Sequence, residues 1–431
     1  SSKYPIKPHI PMNIYLAIIL FILIGQYFLD LVIDLLNVRT LQTDLPVEFE
    51  GVYDAEKYKK SQEYLKDNTR LGIIGDSVNT PAIIAFILLG GFNLVDRFAR
   101  SFELGPIPTG LIFAAALLLA FYIFNIPFSI YSTFVIEEKY GFNRTTPKTY
   151  ILDILKGGIL VAVIGSIILS GVLWFFARAG SWAWIICWLA VFLFQVFLMF
   201  LAPVLIMPIF NKFTPIEEGE LKETVETYAK AQGFKIKGLF TMDGSKRSTK
   251  SNAFFTGFGK YRRIVLFDTL IDRHTVDELV AVLAHEMGHY KKGHILKALF
   301  ISFITTGFLF YILSIFMNSK GLFAAFRMEE ISLYAGLFFF GFLYTPIEMV
   351  LSVFGHMLSR KHEYEADAYA VETFGRPEAM ITALKKLSVD NLSNLTPHPL
   401  KVFMSYSHPP VLDRIKAIRN MGAGAGNYSL L

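Results

Sequence analysis

The stretch VLAHEMGHYKKGHILKALFISFITTGFLFYILSIFMN, residues 282–318, sets a polar helical motif directly before an apolar run long enough to cross a bilayer. Its first part holds His285 and His289 four residues apart, with Glu286 between them. On a helix that spacing puts both imidazoles on one face, one turn apart, where they can grip one ion. Glu286 then projects beside the ion and can take a proton from a water whose pKa zinc lowers to about 7. Gly288 leaves room for another backbone or a substrate to approach closely. The bland alternative is a surface helix with two solvated histidines. Leu279, Val280, Val282 and Leu283 precede the motif, however, so the helix is partly buried.

Working outward, the whole chain has a membrane composition. Of 431 residues, 53% are apolar and 18% charged, where soluble domains carry about a quarter charged. Any soluble part is therefore the minority. Seven apolar runs approach or exceed the roughly 20 residues a spanning helix needs: 13–37, 80–96, 107–134, 151–177, 182–209, 295–318 and 331–356. The second is the shortest and is broken by Gly90-Gly91. The first is longer than a signal-peptide core and lacks a cleavage site of small residues, so no cleavable signal is expected. The single cysteine, Cys187, lies inside an apolar run and excludes an internal disulfide. The net charge of +5 sits mostly in loops, which fits a membrane surface and gives no reason to expect nucleic acid.

Lys and Arg are unevenly shared between alternate loops. Arg39, Lys57, Lys59, Lys60, Lys66 and Arg70 follow the first run, and Lys139, Arg144 and Lys148 follow the third. The opposite set is poorer: Lys3 and Lys7, Arg97 and Arg100, Arg178, Lys320 and Arg327. The positive-inside rule then places the N-terminus outside or in the lumen, and 210–294 and the C-terminal tail together in the cytosol.

Segment 210–294 reads as a small α/β unit. A helix is expected from Glu217 to Gln232, stopping at Gly233. Strands are expected over Gly238–Met242, Asn252–Phe258 and Arg263–Phe267. A helix over Val276–Tyr290 opens on Thr275 as N-cap, with Glu278 completing a capping box. Past the seventh run, helices are expected from Arg360 through Thr373, on to about Asn391, and from Pro410 to Met421.

A catalytic zinc site takes three protein ligands and leaves one position open. The third candidate lies in Arg360-Lys361-His362-Glu363-Tyr364-Glu365-Ala366-Asp367. Glu363 and Asp367 are spaced i, i+4 on one helix face, so one can ligate while the other anchors a ligand histidine through its free N–H. Glu365 falls on the far side of that helix. His362 is the poorer ligand candidate, and His356 and His294 read as snorkelling or interfacial residues. By itself the cluster is equally an ordinary charged helix start at a membrane exit.

Several long stretches resemble the type I CAAX prenyl proteases, zinc metalloproteases that process isoprenylated protein C-termini. They are Phe134 to Asn143, Met207 to Pro215, Asp243 to Ser248, Ser251-Asn252-Ala253, Arg263 to Leu270, Val282 to His289, Glu363 to Ala368, and Ser407-His408-Pro409-Pro410 with Arg414. The resemblance covers nearly the whole chain. It implies an α-helical integral membrane protein in which about seven transmembrane helices enclose a chamber, with a small zincin-like α/β catalytic unit. On this reading 1–209 holds spans one to five, 210–294 is the catalytic segment with the motif helix, 295–356 holds spans six and seven, and 357–431 is the second catalytic segment.

Residue by residue, the resemblance implies that His285, His289 and Glu363 hold one Zn2+ and that Glu286 is the general base. It makes Asp367 a support behind a ligand, Arg414 a buried supporting charge, and His408 a donor to the developing oxyanion. Without it, His408 before two prolines reads as a loop histidine. Asn252 and Ala253 read as a strand edge to which a substrate could add, or as an ordinary hairpin. Glu348, inside the seventh run, fits a water-filled interior, or a carboxylate paired in the bundle or near the interface. Gln195, midway along the fifth, fits the same interior.

The implied partners are the bilayer and a prenylated or otherwise membrane-associated substrate. The implied location is the endoplasmic reticulum membrane in a eukaryote or the cytoplasmic membrane in a prokaryote. The loop after the sixth run is short, which fits a prokaryotic member, whose substrate need not be prenylated. A quality-control metalloprotease acting on unprenylated membrane proteins is the alternative of the same chemistry. A transporter with a structural zinc is the alternative of a different class; Glu286 speaks against it, because a structural site needs no base.

Overall fold

A computed structural model describes residues 13–42, 44–256 and 263–422. Lys3, Lys7, the end of the expected strand at Gly257–Phe258 and the tail beyond Gly422 lie outside the described residues. Seven helices are long and apolar enough to cross a membrane. Hydrocarbon offers backbone groups no partner, and a helix satisfies all of them within itself. The first five are α1 (Ile14–Arg39), α2 (Ala55–Leu88), α3 (Pro106–Glu137), α4 (Pro147–Arg178) and α5 (Gly180–Phe210). Next come β1 (Phe213–Pro215), α6 (Glu220–Ala231), β2 (Gly238–Met242), β3 (Ala253–Thr256), β4 (Arg263–Phe267) and α7 (Val276–Lys291). The last two spans, α8 (His294–Phe316) and α9 (Leu333–Phe374), precede α10 (Pro377–Asp390) and α11 (Val411–Gly422).

The spans stand edge to edge like staves. The most apolar window of each is at most 17% buried, and the buried residues of the spans gather in two clusters, one around Phe113 and Phe339 and one around Cys187 and Phe310. Polar side chains link neighbours laterally. Tyr27 pairs with Ser77 across α1 and α2 at 2.9 Å, and Asn79 donates to Asn125 across α2 and α3 at 3.1 Å. Tyr150 donates to Ser129 across α4 and α3 at 2.8 Å. Lys156 donates to the carbonyl of Ile209 across α4 and α5, and Gln195 to Ser302 across α5 and α8. With α9 against both α8 and α1, the ring closes around a chamber. Each such bond contributes about 0.6 kcal/mol in a membrane, so their main effect is on register. Glu348 is exposed and is not a carboxylate paired inside the bundle.

Two of the expected spans have different limits. The second was expected at 80–96, but that window crosses a break: Gly90 sits at φ 77° and a separate helix, Gly91–Arg100, follows. The crossing helix runs from Ala55 to Leu88. Asp76 and Asn79 lower its apparent hydropathy, although Asn79 is spoken for by Asn125. The seventh run does not end at 356. α9 continues for 42 residues and stops at Gly375, at φ 68°, so the helix expected to start at Arg360 is its second half. At 1.5 Å per residue α9 is about 63 Å long, twice a ~30 Å hydrocarbon core. Its charged half must therefore stand clear of the membrane. The change from apolar to charged sequence marks the membrane exit; no breaker there ends the helix.

The catalytic segment forms a four-stranded sheet in the order β1-β2-β4-β3, with β2 and β4 parallel and both edges antiparallel. Phe213–Pro215, not foreseen as a strand, supplies one edge. Ile264, Val265 and Leu266 of β4 are at most 1% exposed, as suits a strand covered on both faces. Ile264 and Leu266 join Val225 of α6, Leu279, Leu283 and Met287 of α7, and Ala370 of α9 in one core. A second core ties Phe49 and Phe142, from segments between spans, and Tyr58, from the start of α2, to Ala281 of α7, Leu384 of α10 and Ile415 of α11. The soluble segments are thus anchored to the loops of the spans on two sides.

Gly110 of α3 marks a tight approach in the bundle. A β-carbon there would stand 2.8 Å from Leu173 and 2.9 Å from Tyr334, whereas one at Gly25 meets nothing within 4 Å. Gly110→Val should therefore destabilise the detergent-solubilised protein by about 1–3 kcal/mol, and Gly25→Val should leave the thermal midpoint near wild type. Equal midpoints for the two variants would contradict this packing.

Candidate metal centre

Three helices build the site. α7 starts on the expected capping box: the backbone N–H of Thr275 donates to Glu278 at 2.8 Å, and the Thr275 hydroxyl accepts from Glu278 N–H. Its apolar face lies on the sheet, which turns His285, Glu286 and His289 toward α9. There Gly288 makes the contact possible. A β-carbon at that position would stand 2.9 Å from the Cα of Ala366 and 3.0 Å from its carbonyl oxygen. Backbone meets backbone, and Glu363 and Asp367, on either side of Ala366, face the two histidines.

Glu363 Oε1 lies 3.2 Å from His289 Nε2, and Oε2 lies 3.5 Å from His285 Nε2. The two Nε2 atoms are 3.2 Å apart. A tetrahedral zinc with bonds of 2.0–2.1 Å has ligand-to-ligand edges of about 3.3–3.4 Å, close to each of these three separations, although the two that reach Glu363 end on different oxygens. Oε2 of Glu363 is buried without a hydrogen-bond partner among the described residues, and the two imidazole nitrogens facing each other at 3.2 Å can share a cation or a proton. The donor set therefore fits a divalent metal.

Behind His285 stands Asp367, with Oδ1 2.8 Å from Nδ1. Arg414 of α11 grips that carboxylate in a fork: Nε donates to Oδ2 at 2.8 Å and Nη2 to Oδ1 at 2.6 Å. Its Nη1 is 3.3 Å from Glu363 Oε2. Burial opposes the charge on Arg414, but Asp367 and Glu363 outweigh it and hold the guanidinium firmly protonated. Burial likewise lowers the pKa of His285, yet Asp367 more than offsets it and the imidazole is pushed up to about 9. A metal binding at Nε2 must therefore displace a proton. Burial pushes the Glu286 carboxyl above its usual range, toward the basicity a proton acceptor needs at neutral pH.

His408 is 65% exposed at the rim, with Nε2 3.4 Å from Glu363 Oε1 and Nδ1 3.0 Å from Ser407 Oγ. Asn252 and Ala253 sit at the start of β3, the edge strand. The Asn252 carbonyl accepts from Phe267 N–H, and the Asn252 side chain accepts from Ala253 N–H.

Four side chains differ from their expected surroundings. His294 is buried, not interfacial: Gly293 at φ 70° turns the chain sharply and lays His294 Nδ1 2.9 Å from His289 Nδ1. Glu365 is not turned away from the site's surroundings: its Oε2 is 2.8 Å from His294 Nε2. α9 touches both α7 and α8, so two of its faces meet the site's supports. His362 stacks on His294 with ring centroids 3.9 Å apart. His356 Nδ1 bonds the carbonyl of Met404 at 3.0 Å, tying α9 to the helix Pro399–Ser405. The sequence signal for His294 is the glycine before it, which permits the left-handed turn.

A helical metal site with a base beside it, mounted on a ring of membrane helices, defines a membrane metallopeptidase. Residues 34–212 match the model of the CAAX prenyl protease N-terminal region with five membrane helices, and 215–422 match peptidase family M48. The chain is 36% identical to the CAAX prenyl protease 1 homolog of Arabidopsis thaliana over 92% of its own length and 95% of the plant protein. It is 36% identical to CAAX prenyl protease 1 of Saccharomyces cerevisiae, over 88% of this chain and 89% of the yeast protein. Against the human homolog the identity is 32%, over 88% and 89%. The crystal structure of Ste24p from S. mikatae superposes with a TM-score of 0.90 at 33% identity, covering 95% of this chain and all of that one. The chain belongs to the CAAX prenyl protease branch of peptidase family M48 and is a multi-pass membrane metalloendopeptidase.

Gly288→Ala should push α9 off α7. A loss of about 1–3 kcal/mol in stability is expected, together with less metal retained per chain after dialysis against a weak chelator. Wild-type values of both would show that the contact at Ala366 does not hold the site together.

Proposed function

We propose that this protein hydrolyses a peptide bond near the C-terminus of prenylated CAAX-type proteins, using one zinc held by His285, His289 and Glu363. The observation that carries the reading is the convergence of His285, His289 and the Glu363 carboxylate beside Glu286, with separations of 3.2–3.5 Å. Zinc supplies Lewis acidity, activating a water and polarising the scissile carbonyl.

Glu286 takes the proton from the attacking water and returns it to the amide nitrogen as the C–N bond breaks, leaving a carboxylate and a free amine. His408 donates from Nε2 to the carbonyl oxygen as charge builds there, a contribution of about 3–4 kcal/mol for a well-placed donor. Asp367 and Arg414 hold His285 in the tautomer that leaves Nε2 free. The free edge of β3 at Asn252 and Ala253 pairs with the substrate as an added strand and sets the scissile bond over the metal. A lipidated substrate suits the ring of spans, since each CH2 taken from water contributes about 0.8 kcal/mol. The relatives' names as CAAX prenyl proteases support the choice of substrate. The basic loops support a cytosolic position for both catalytic segments, in the endoplasmic reticulum or the cytoplasmic membrane according to the cell.

With a farnesylated CAAX peptide and purified protein, Glu286→Ala should keep its zinc and lose several orders of magnitude in turnover, and His285→Ala should lose the zinc. Wild-type turnover in Glu286→Ala would sink the mechanism. Equal cleavage of farnesylated and unmodified peptides would transfer the reading to quality-control proteolysis. Orientation has its own check, because the native Cys187 is fully buried. A cysteine introduced at the exposed Glu218 should react with an impermeant maleimide only once the membrane is opened; labelling from outside would invert the topology.

A further inference from the structure

We propose that Glu365 and His294 form a proton-ordered relay that positions His289 for the metal, with His362 holding the relay in plane. This rests on the zinc reading above. The two ligand histidines are backed differently. His285 meets its carboxylate, Asp367, directly. His289 has no carboxylate at its outer nitrogen; there it meets another imidazole, Nδ1 to Nδ1 at 2.9 Å. Such a contact needs one proton, on one ring only. If His289 keeps Nε2 free for a metal, its proton is on Nδ1 and His294 Nδ1 accepts. His294 then carries its own proton on Nε2, 2.8 Å from Glu365 Oε2. The carboxylate selects the tautomer of His294, and His294 selects that of His289. The reverse order would protonate His289 at Nε2 and remove it as a ligand.

The surroundings suit this role. The His294 side chain is 5% exposed, so water does not compete for its nitrogens. His362 lies flat on it, 11° from parallel, and Lys297 stands 3.8 Å from Glu365. Atoms of His294, His362 and Glu365 also lie within 4.8 Å of one another, which raises a second metal as the rival account. Stacked rings argue against it: their lone pairs lie in the ring planes, run nearly parallel and do not converge on one ion. Both nitrogens of His294 are also engaged.

The test is zinc affinity of the full-length detergent-solubilised protein, measured by chelator competition with metal content per chain. His294→Phe keeps the ring and removes the acceptor; affinity should fall 10–100-fold. His294→Asn puts a carbonyl where Nδ1 stands and should recover most of it, while His294→Gln should not. Glu365→Gln should weaken binding less than His294→Phe. Wild-type affinity in His294→Phe, alongside zinc loss in His285→Ala, would overturn the relay alone. Zinc retained in His285→Ala would instead overturn the underlying site. Two zinc ions per chain, one lost in His362→Ala, would replace the relay with a second metal site. If His294→Phe does not fold, equal affinities in the Asn and Gln variants overturn the relay.

Discussion

The contact on which the site depends is the approach of α7 to α9 at Gly288 over Ala366, closer than any side chain would allow. Glu363 and Asp367 are one turn apart on α9, and His285 and His289 one turn apart on α7. With the backbones in contact, each carboxylate falls within 2.8–3.5 Å of an imidazole. An extra ångström between the helices would draw both imidazoles away from the carboxylates that face them, which is costly in a dry interior. The capping box that starts α7 and the sheet beneath it keep that helix from turning its histidines away.

Charge explains the rest of the pocket. Glu286, Glu363 and Asp367 bring three carboxylates together, and Arg414 brings one guanidinium. If all are ionised, two negative charges remain, matched by one divalent ion. Arg414 reaches both Asp367 and Glu363, so its charge offsets both carboxylates from one side. Removing one member of such a buried set costs more than the set contributes as a whole, because the remaining charges lose their partners.

The membrane helices are components of this arrangement. α8 starts two residues after α7 ends, across Gly293, and α9 carries a span and the carboxylates on one continuous rod. A helix of 42 residues transmits its placement in the ring directly to Glu363. The contacts of Phe49, Phe142 and the start of α2 at Tyr58 with α7, α10 and α11 fix the soluble part from the other side. The chamber and the metal centre therefore share one framework.

Much of this was legible in the residues. Seven apolar runs, the capped motif helix and the i, i+4 pair Glu363 and Asp367 follow from periodicities of one segment at a time, and helices in lipid or water obey those locally. The limits of α2 were misread because Asp76 and Asn79 look unfavourable to a membrane until Asn125 is seen beside Asn79. The unbroken length of α9 was misread because a change in polarity resembles a change in structure. His294, Glu365 and His362 could not be placed from spacing, since their partners are set by how α8 and α9 pack after the turn at Gly293. His285, Glu286 and His289 mark a candidate metal site because one helix brings them together. Which carboxylates reach them, and what orients each imidazole, is settled only when separate helices meet, because a contact across two membrane spans leaves no periodic trace along the chain.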